Sequence, residues 1–292
     1  MSGQFTVFSD LVCELGEGPS YDPRRQSLYW FDILGKRLLE KRFGQSGTHV
    51  HDLPFMASAI AGLGGSRHLI AAEDGLYVRD TATGALSLHR SLEAGNPLTR
   101  SNDARVHPSG AMWIGTMGRH AEQGAGAIYW HFKGEIRTLW SGLTIPNSIA
   151  FSPDGRIGYH ADTGRNIVWR VSLDPLTGLP DGEPKIFLDH GGKPGGIDGS
   201  VVDADGLIWN ARWGAGALDV YAPDGSHLKR HDGPARQMTC PAFLGPDASR
   251  LAVTSAWEHM DPTARAADPQ AGQTFLLDIP VKGRFEPDAV LE

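Results

Sequence analysis

Four stretches of this chain place polar residues where neither turn chemistry nor strand alternation asks for them. Glu17 lies in CELGEGPSYDP, between Gly16 and Gly18. Arg100 and Asn102 stand two apart in NPLTRSNDARVHPSG, so an extended backbone puts both on one side. Asn147 follows Pro146 in GLTIPNSIAFSPDG, and Asp198 sits in the glycine-flanked run KPGGIDGSVVDADG. Singly, each has an ordinary explanation as a solvated loop Glu, an Asx turn, a strand-entrance cap or a turn-forming Asp. Among them, two carboxylates and an amide oxygen form an all-oxygen set suited to a hard divalent cation such as Ca²⁺. With coordination positions left for water, such a site is also Lewis acidic. Arg100 and Asn102 can present donors to a sugar or a carboxylate. His120, after GTMGR, and His160, in YHADT, are candidates for the mouth of such a site, while His51, His68 and His89 read as surface positions.

These residues need a scaffold that brings distant segments together, and the chain repeats itself. Six segments join a turn rich in Asp, Pro or Gly to an alternating apolar strand. They are YDPRRQSLYWFDI, LGGSRHLIAAEDG, VHPSGAMWIGTM, FSPDGRIGYHADT, VDADGLIWNARW and LGPDASRLAVTSAW. They begin at positions 21, 63, 106, 151, 202 and 244. That spacing is the period of a four-stranded propeller blade, and a β-sandwich does not require it. Hairpins fill the gaps at 75–90, 127–140, 166–180 and 217–231. The expectation is an all-β, six-bladed β-propeller with a central channel, formed by residues 1–292 as one domain. Its ring closes through FTVFSD (5–10) or RFEPDAVLE (284–292), and the polar stretch 258–272 forms a loop at one mouth. Glu17, Asn102, Asn147 and Asp198 each fall shortly ahead of a repeat copy, which brings them to the same end of the propeller.

Composition excludes other classes of function. The 27 basic and 34 acidic residues leave a net charge of −7, and no basic cluster suggests nucleic acid. No apolar run reaches the ~20 residues of a membrane span. Cys13 and Cys240 have no metal-binding or redox spacing, and MSGQFTVFSD lacks a basic segment followed by an apolar run. The expectation is a cytoplasmic protein with free thiols and no obligate protein partner. No G-x-S-x-G elbow, H-E-x-x-H motif, P-loop or dinucleotide fingerprint is present.

The segments LGEGPSYD, RSNDARVHPSGAMWIGTM, PNSIAFSPDG, IDGSVVDADGLIWNARWG and CPAFLGPDASRLAVTSAW are followed in order by AGQTFLLDIPVKG. This collinear set, from about Gly16 to Gly283, resembles the SMP-30/gluconolactonase/regucalcin family. The resemblance implies a propeller that binds one divalent metal in its channel and, in many members, hydrolyses sugar lactones. By motif it implies Glu17, Asn147 and Asp198 as metal ligands, Asp198 also as general base, and Arg100 and Asn102 as substrate-orienting residues. Ca²⁺ is the foremost metal, and Zn²⁺, Mn²⁺, Mg²⁺ and Fe²⁺ are compatible with three such ligands. Two departures stand out: KPGGIDG replaces the PDG that many relatives carry, and Gly118, Arg119 and His120 follow GTM where relatives often have an acidic or amide residue. His120 and Arg119 thus suggest a substrate that is anionic or differently shaped. The expected reaction is hydrolysis of an aldonolactone to its sugar acid. The alternatives are a non-catalytic calcium-binding regulatory propeller and a phosphotriesterase or arylesterase.

Overall fold

The computed structural model describes residues 4–292. Among the described residues, the strands form six four-stranded antiparallel sheets. Each of the first five blades is built from four consecutive strands, innermost first. The inner strands are Gly16–Asp22, Ala57–Gly62, Thr99–Val106, Pro146–Phe151 and Gly196–Val202. Blade six starts at Met238–Leu244, but its outermost strand is Phe5–Ser9, paired with Thr274–Leu277 so that Phe5 faces Leu277. The expected six-bladed propeller is therefore present, with FTVFSD closing the ring.

RFEPDAVLE has a different task. Residues 284–292 form no strand and run across the underside of the propeller. Arg284 bonds the carbonyls of Phe151 and Val202, Glu286 pairs with Arg105, and Asp288 takes both guanidinium ends of Arg24. The Ala289 N–H donates to the Gly62 carbonyl at 2.7 Å and the Val290 N–H to the Gly110 carbonyl at 2.9 Å. Phe285 stacks on Tyr21, with ring centroids 5.9 Å apart. The segment Val281–Val290 therefore touches every blade.

The repeat unit folds as it does because its turn is self-bonded. In VDADG, the Asp203 carboxylate accepts from the N–H groups of Asp205 and Leu207 and from the Trp209 indole, at 2.9–3.0 Å. Gly206 supplies the left-handed residue at φ 84°. The strand that follows alternates apolar side chains into the gaps between blades. Six clusters result, each between two neighbours: Tyr29, Phe31 and Leu38 of blade one meet Ile60 and Ile70 of blade two, and Trp113 meets Ile149 and Phe151 across the next gap but one. Apolar burial, at roughly 25 cal/mol per Å², is concentrated in these gaps, so the central bore is left to polar residues.

Four local expectations change. A short helix, Pro262–Ala267, interrupts the mouth loop, capped by Asp261, whose carboxylate accepts from the Ala264 N–H at 2.8 Å. Six residues are too few to leave a periodic signal. The strand Ile167–Ser172 pairs with Lys185–Asp189, whereas 173–180 is a turn closed by a Leu173–Pro180 bridge. His68 is buried, against the Tyr29 ring at 4.8 Å and 3.3 Å from an Asp22 oxygen. His160 lies away from the mouth, stacked on Trp140 at 4.3 Å and near Trp169 at 5.6 Å, and burial pushes its pKa down to about 3.

Candidate active site

The inner strands are irregular at one end. In five blades two residues oppose a single residue of the next strand: Gly18–Pro19, Asn102–Asp103, Ser148–Ile149, Asp198–Gly199 and Thr239–Cys240. Such bulges re-aim side chains and increase local twist. Glu17 and Asn147 are the last paired residues before the bulge, on the opposite blades one and four. Asn102 and Asp198 are the first bulged residues, on blades three and five. The four therefore share one end of the propeller but occupy two different registers.

Backbone geometry keeps these bulges in place. Gly18 has φ 55°, and a Cβ there would lie 1.8 Å from the Ser58 carbonyl oxygen, so only glycine fits beside Glu17. Ser148, in the matching place after Asn147, also has positive φ, 53°. Its hydroxyl bonds the Asp198 carbonyl and lies 2.9 Å from the Ser200 hydroxyl, which holds the strained conformation. The KPGG loop ahead of Asp198 is fastened as well. Asn166 donates to the Gly195 carbonyl at 3.0 Å and accepts from the Ile197 N–H at 2.8 Å, and Arg212 donates to the Gly195 carbonyl at 3.1 Å.

Glu17, Arg100, Asn102, His120, Asn147 and Asp198 all line one cavity of about 350 Å³. A row of hydrogen bonds links three blades across its base. Arg100 donates from Nη1 to Asn102 Oδ1 at 2.9 Å, and Asn102 Nδ2 donates to Asn147 Oδ1 at 3.0 Å. Asn147 Nδ2 donates to the Thr163 hydroxyl at 2.9 Å, and that hydroxyl donates to the Ile197 carbonyl at 2.6 Å, next to Asp198. Each link fixes the next side chain. Glu17 accepts from its neighbour's N–H, Gly18, through Oε2 at 2.9 Å.

Electrostatically the cavity is strained. Burial first, then the charge of Asp103, raises Glu17 to about 8. Burial first, then Glu17, raises Asp198 well above the usual carboxylate range. Buried like charges that oppose one another are costly unless a cation joins them. Among the described residues no three His, Cys, Asp or Glu side chains form a metal cluster, and the channel set reaches three only with the Asn147 amide. Two carboxylates and an amide oxygen, none sulfur or nitrogen, fit a hard divalent cation.

Some contributors carry no mark in the sequence. Glu258, His259 and Trp213 also line the cavity, but they fall in a polar loop and at a strand end that propensity reads as ordinary. Arg119 reaches the cavity but is committed elsewhere: it pairs with Glu73, donates to the Pro97 carbonyl at 2.7 Å and lies 3.8 Å from the Met56 sulfur. Beneath the cavity, Arg105 fills the bore. It donates to the carbonyls of Ile149 and Ser200 at 3.4 and 3.2 Å, lies 3.5 Å from the Cys240 sulfur and pairs with Glu286.

The fold and site together are a six-bladed propeller whose bore opens into a cavity lined by Glu17, Asp198, Asn102, Asn147 and Arg100. Residues 15–257 match the SMP-30/Gluconolactonase/LRE-like region, and the chain belongs to that family. A Rhizobium meliloti protein named as a candidate sugar lactone lactonase is 53% identical over 96% of this chain and 95% of its own. A pentonolactonase of Haloferax volcanii is 34% identical over 95% of each chain. The solved structure of a calcium-binding protein, regucalcin, from Agrobacterium tumefaciens is 55% identical, with a TM-score of 0.97 over 98% of this chain and 97% of that one.

Proposed function

We propose that this chain is a sugar lactone hydrolase that opens an aldonolactone to its sugar acid, with Glu17, Asn147 and Asp198 holding a divalent cation. The observation that carries this reading is the meeting of those three residues with Arg100 and Asn102 in one cavity, in a family whose named members include lactonases. When bound, a divalent cation supplies Lewis acidity toward the lactone carbonyl. The Asp198 carboxylate accepts a proton from the water whose oxygen attacks the carbonyl carbon. The C–O ring bond then breaks, and Asp198 returns the proton to the departing ring oxygen as it becomes a hydroxyl. Glu17 and its neighbouring bulge form the blade-one wall of the cavity. Arg100 and Asn102 hold ring hydroxyls, and the blade walls exclude bulk water.

The test is proton release over a panel of lactones and one organophosphate, with and without exhaustive chelation. Lactone turnover that chelation removes and metal restores is expected. Turnover indifferent to chelation overturns the metal assignment, and hydrolysis of the organophosphate alone overturns the lactone assignment. The similarity to a calcium-binding regucalcin supports a second reading, calcium binding without turnover. Tight calcium binding with no turnover of any panel member would establish it instead.

A further inference from the structure

The cavity holds one carboxylate that neither the ligand set nor the proton transfer uses. Glu258 projects from the loop after the second strand of blade six, Arg250–Ser255. Its backbone is fixed on both sides: its N–H donates to the Glu14 carbonyl at 3.0 Å, and its carbonyl accepts from Gln237 Nε2 at 3.1 Å. The next residue, His259, is held at φ 63°, a conformation that costs a non-glycine residue energy. A strained and doubly anchored backbone fixes where the side chain points. The Glu258 side chain is 17% exposed, and its ionic neighbour is His259 Nε2 at 3.5 Å, itself an exposed group.

Arg100 complements it. The guanidinium spends Nη1 on Ser101 and Asn102, its Nε is buried without a partner, and its Nη2 bonds no protein atom among the described residues and is left for a ligand. Carboxylates only accept and a guanidinium only donates, so a ligand hydroxyl can satisfy both by donating to Glu258 and accepting from Arg100. Met117, Ile145 and Trp213 give the same cavity an apolar wall for the C–H face of a sugar ring. A ligand group that is itself anionic would meet Glu258 as a like charge, and Arg119, already paired with Glu73, offers it little compensation.

We propose that Glu258 is a specificity-determining residue that, with Arg100, reads a hydroxyl of a neutral polyhydroxylated lactone and disfavours lactones carrying a second acid group. This rests on the lactonase reading above. It runs against the anionic half of the expectation drawn from Arg119 and His120, that the substrate is anionic or differently shaped.

The test compares Glu258→Ala and Glu258→Gln with the unaltered protein on three probes: glucono-1,5-lactone, its dicarboxylic counterpart glucarolactone, and δ-valerolactone, which has no hydroxyls. Losing hydrogen bonds to a charged group predicts that kcat/KM on gluconolactone falls about 10- to 100-fold in Glu258→Ala, mainly through KM. δ-Valerolactone should stay within about twofold, and Glu258→Gln should shift the preference toward glucarolactone by about tenfold. Equal losses on gluconolactone and δ-valerolactone, or no loss on either, overturn the proposal. Calorimetric binding of 1,5-anhydroglucitol, a ring polyol with no ester, separates this from failure of the lactonase reading. If no lactone is hydrolysed, at least tenfold weaker polyol binding by Glu258→Ala than by the unaltered protein still supports the hydroxyl-reading role. Equal or absent binding overturns it.

Discussion

Arg100 and Arg105 stand five residues apart on one inner strand, and both are buried, at 4% and 6% exposure. On a regular strand an odd separation sends side chains to opposite faces. The bulge at Asn102–Asp103 resets the parity, so both guanidinium groups enter the bore. Their surroundings there differ. Arg105, on the floor, uses its donors on two carbonyls, a cysteine sulfur and Glu286. Arg100, at the cavity, bonds only through Nη1 and leaves Nη2 without a protein partner among the described residues. Burial lowers the proton affinity of Arg100, whereas at Arg105 the nearby Glu286, Cys240 and Asp103 outweigh burial and raise it. A buried charge whose three nitrogens are all engaged belongs to the framework. One with a donor to spare is available to a ligand, and the structure bears the cost until the ligand arrives.

Substitutions test that contrast, beginning with the largest effect. Asp198→Ala removes the proton acceptor and should lower kcat on the best lactone by about 10⁴-fold. Because it also removes a carboxylate opposed by Glu17, calorimetry on the metal-free protein should show a higher melting temperature than for the parent. A near-normal rate would take the base role from Asp198. Arg105→Met leaves Glu286 and the bore carbonyls without their cation and should cost about 3–5 kcal/mol in urea unfolding. The same change at Arg100, in metal-loaded protein, should cost less than about 1 kcal/mol, because water from the cavity can reach the freed acceptors. Its penalty should appear instead as a roughly 10- to 100-fold lower kcat/KM. Similar stability losses at the two arginines would dissolve the distinction. Gly18→Ala, with no room for its Cβ, should cost about 1–3 kcal/mol and weaken metal affinity measured by titration calorimetry. Asn102→Ala is the mildest, about tenfold in kcat/KM, with a melting point near the parent's.

What the sequence could convey depended on repetition. The six turns recur because each blade needs one, so the period, the blade count and the approximate height of Glu17, Asn102, Asn147 and Asp198 were legible. Features made once were not. The one-residue offset between Glu17 and Asp198 comes from bulges, which alter pairing without altering composition. The path of 284–292 is set by single contacts such as Glu286 with Arg105, and no periodic pattern reports those. His160 and His120 look alike as letters, yet one is sandwiched between tryptophans and the other lines the cavity. Glu258 sat in a stretch whose polarity is ordinary for a loop, and only the anchoring by Glu14 and Gln237 sets it apart.

Ring closure has a consequence for how the protein is made. Phe5–Ser9 leaves the ribosome well before its partner Thr274–Leu277, and the Thr6–Asp278 side-chain contact spans 272 positions. Throughout synthesis the nascent chain carries a first strand with nothing to pair with and a last blade that cannot be completed. The underside strap, Val281–Val290, can dock only after that pairing, because it needs all six blades in place. Translation that stops short of Thr274–Leu277 thus yields an open arc with exposed blade faces, a form that chaperones and proteases can recognise before it accumulates.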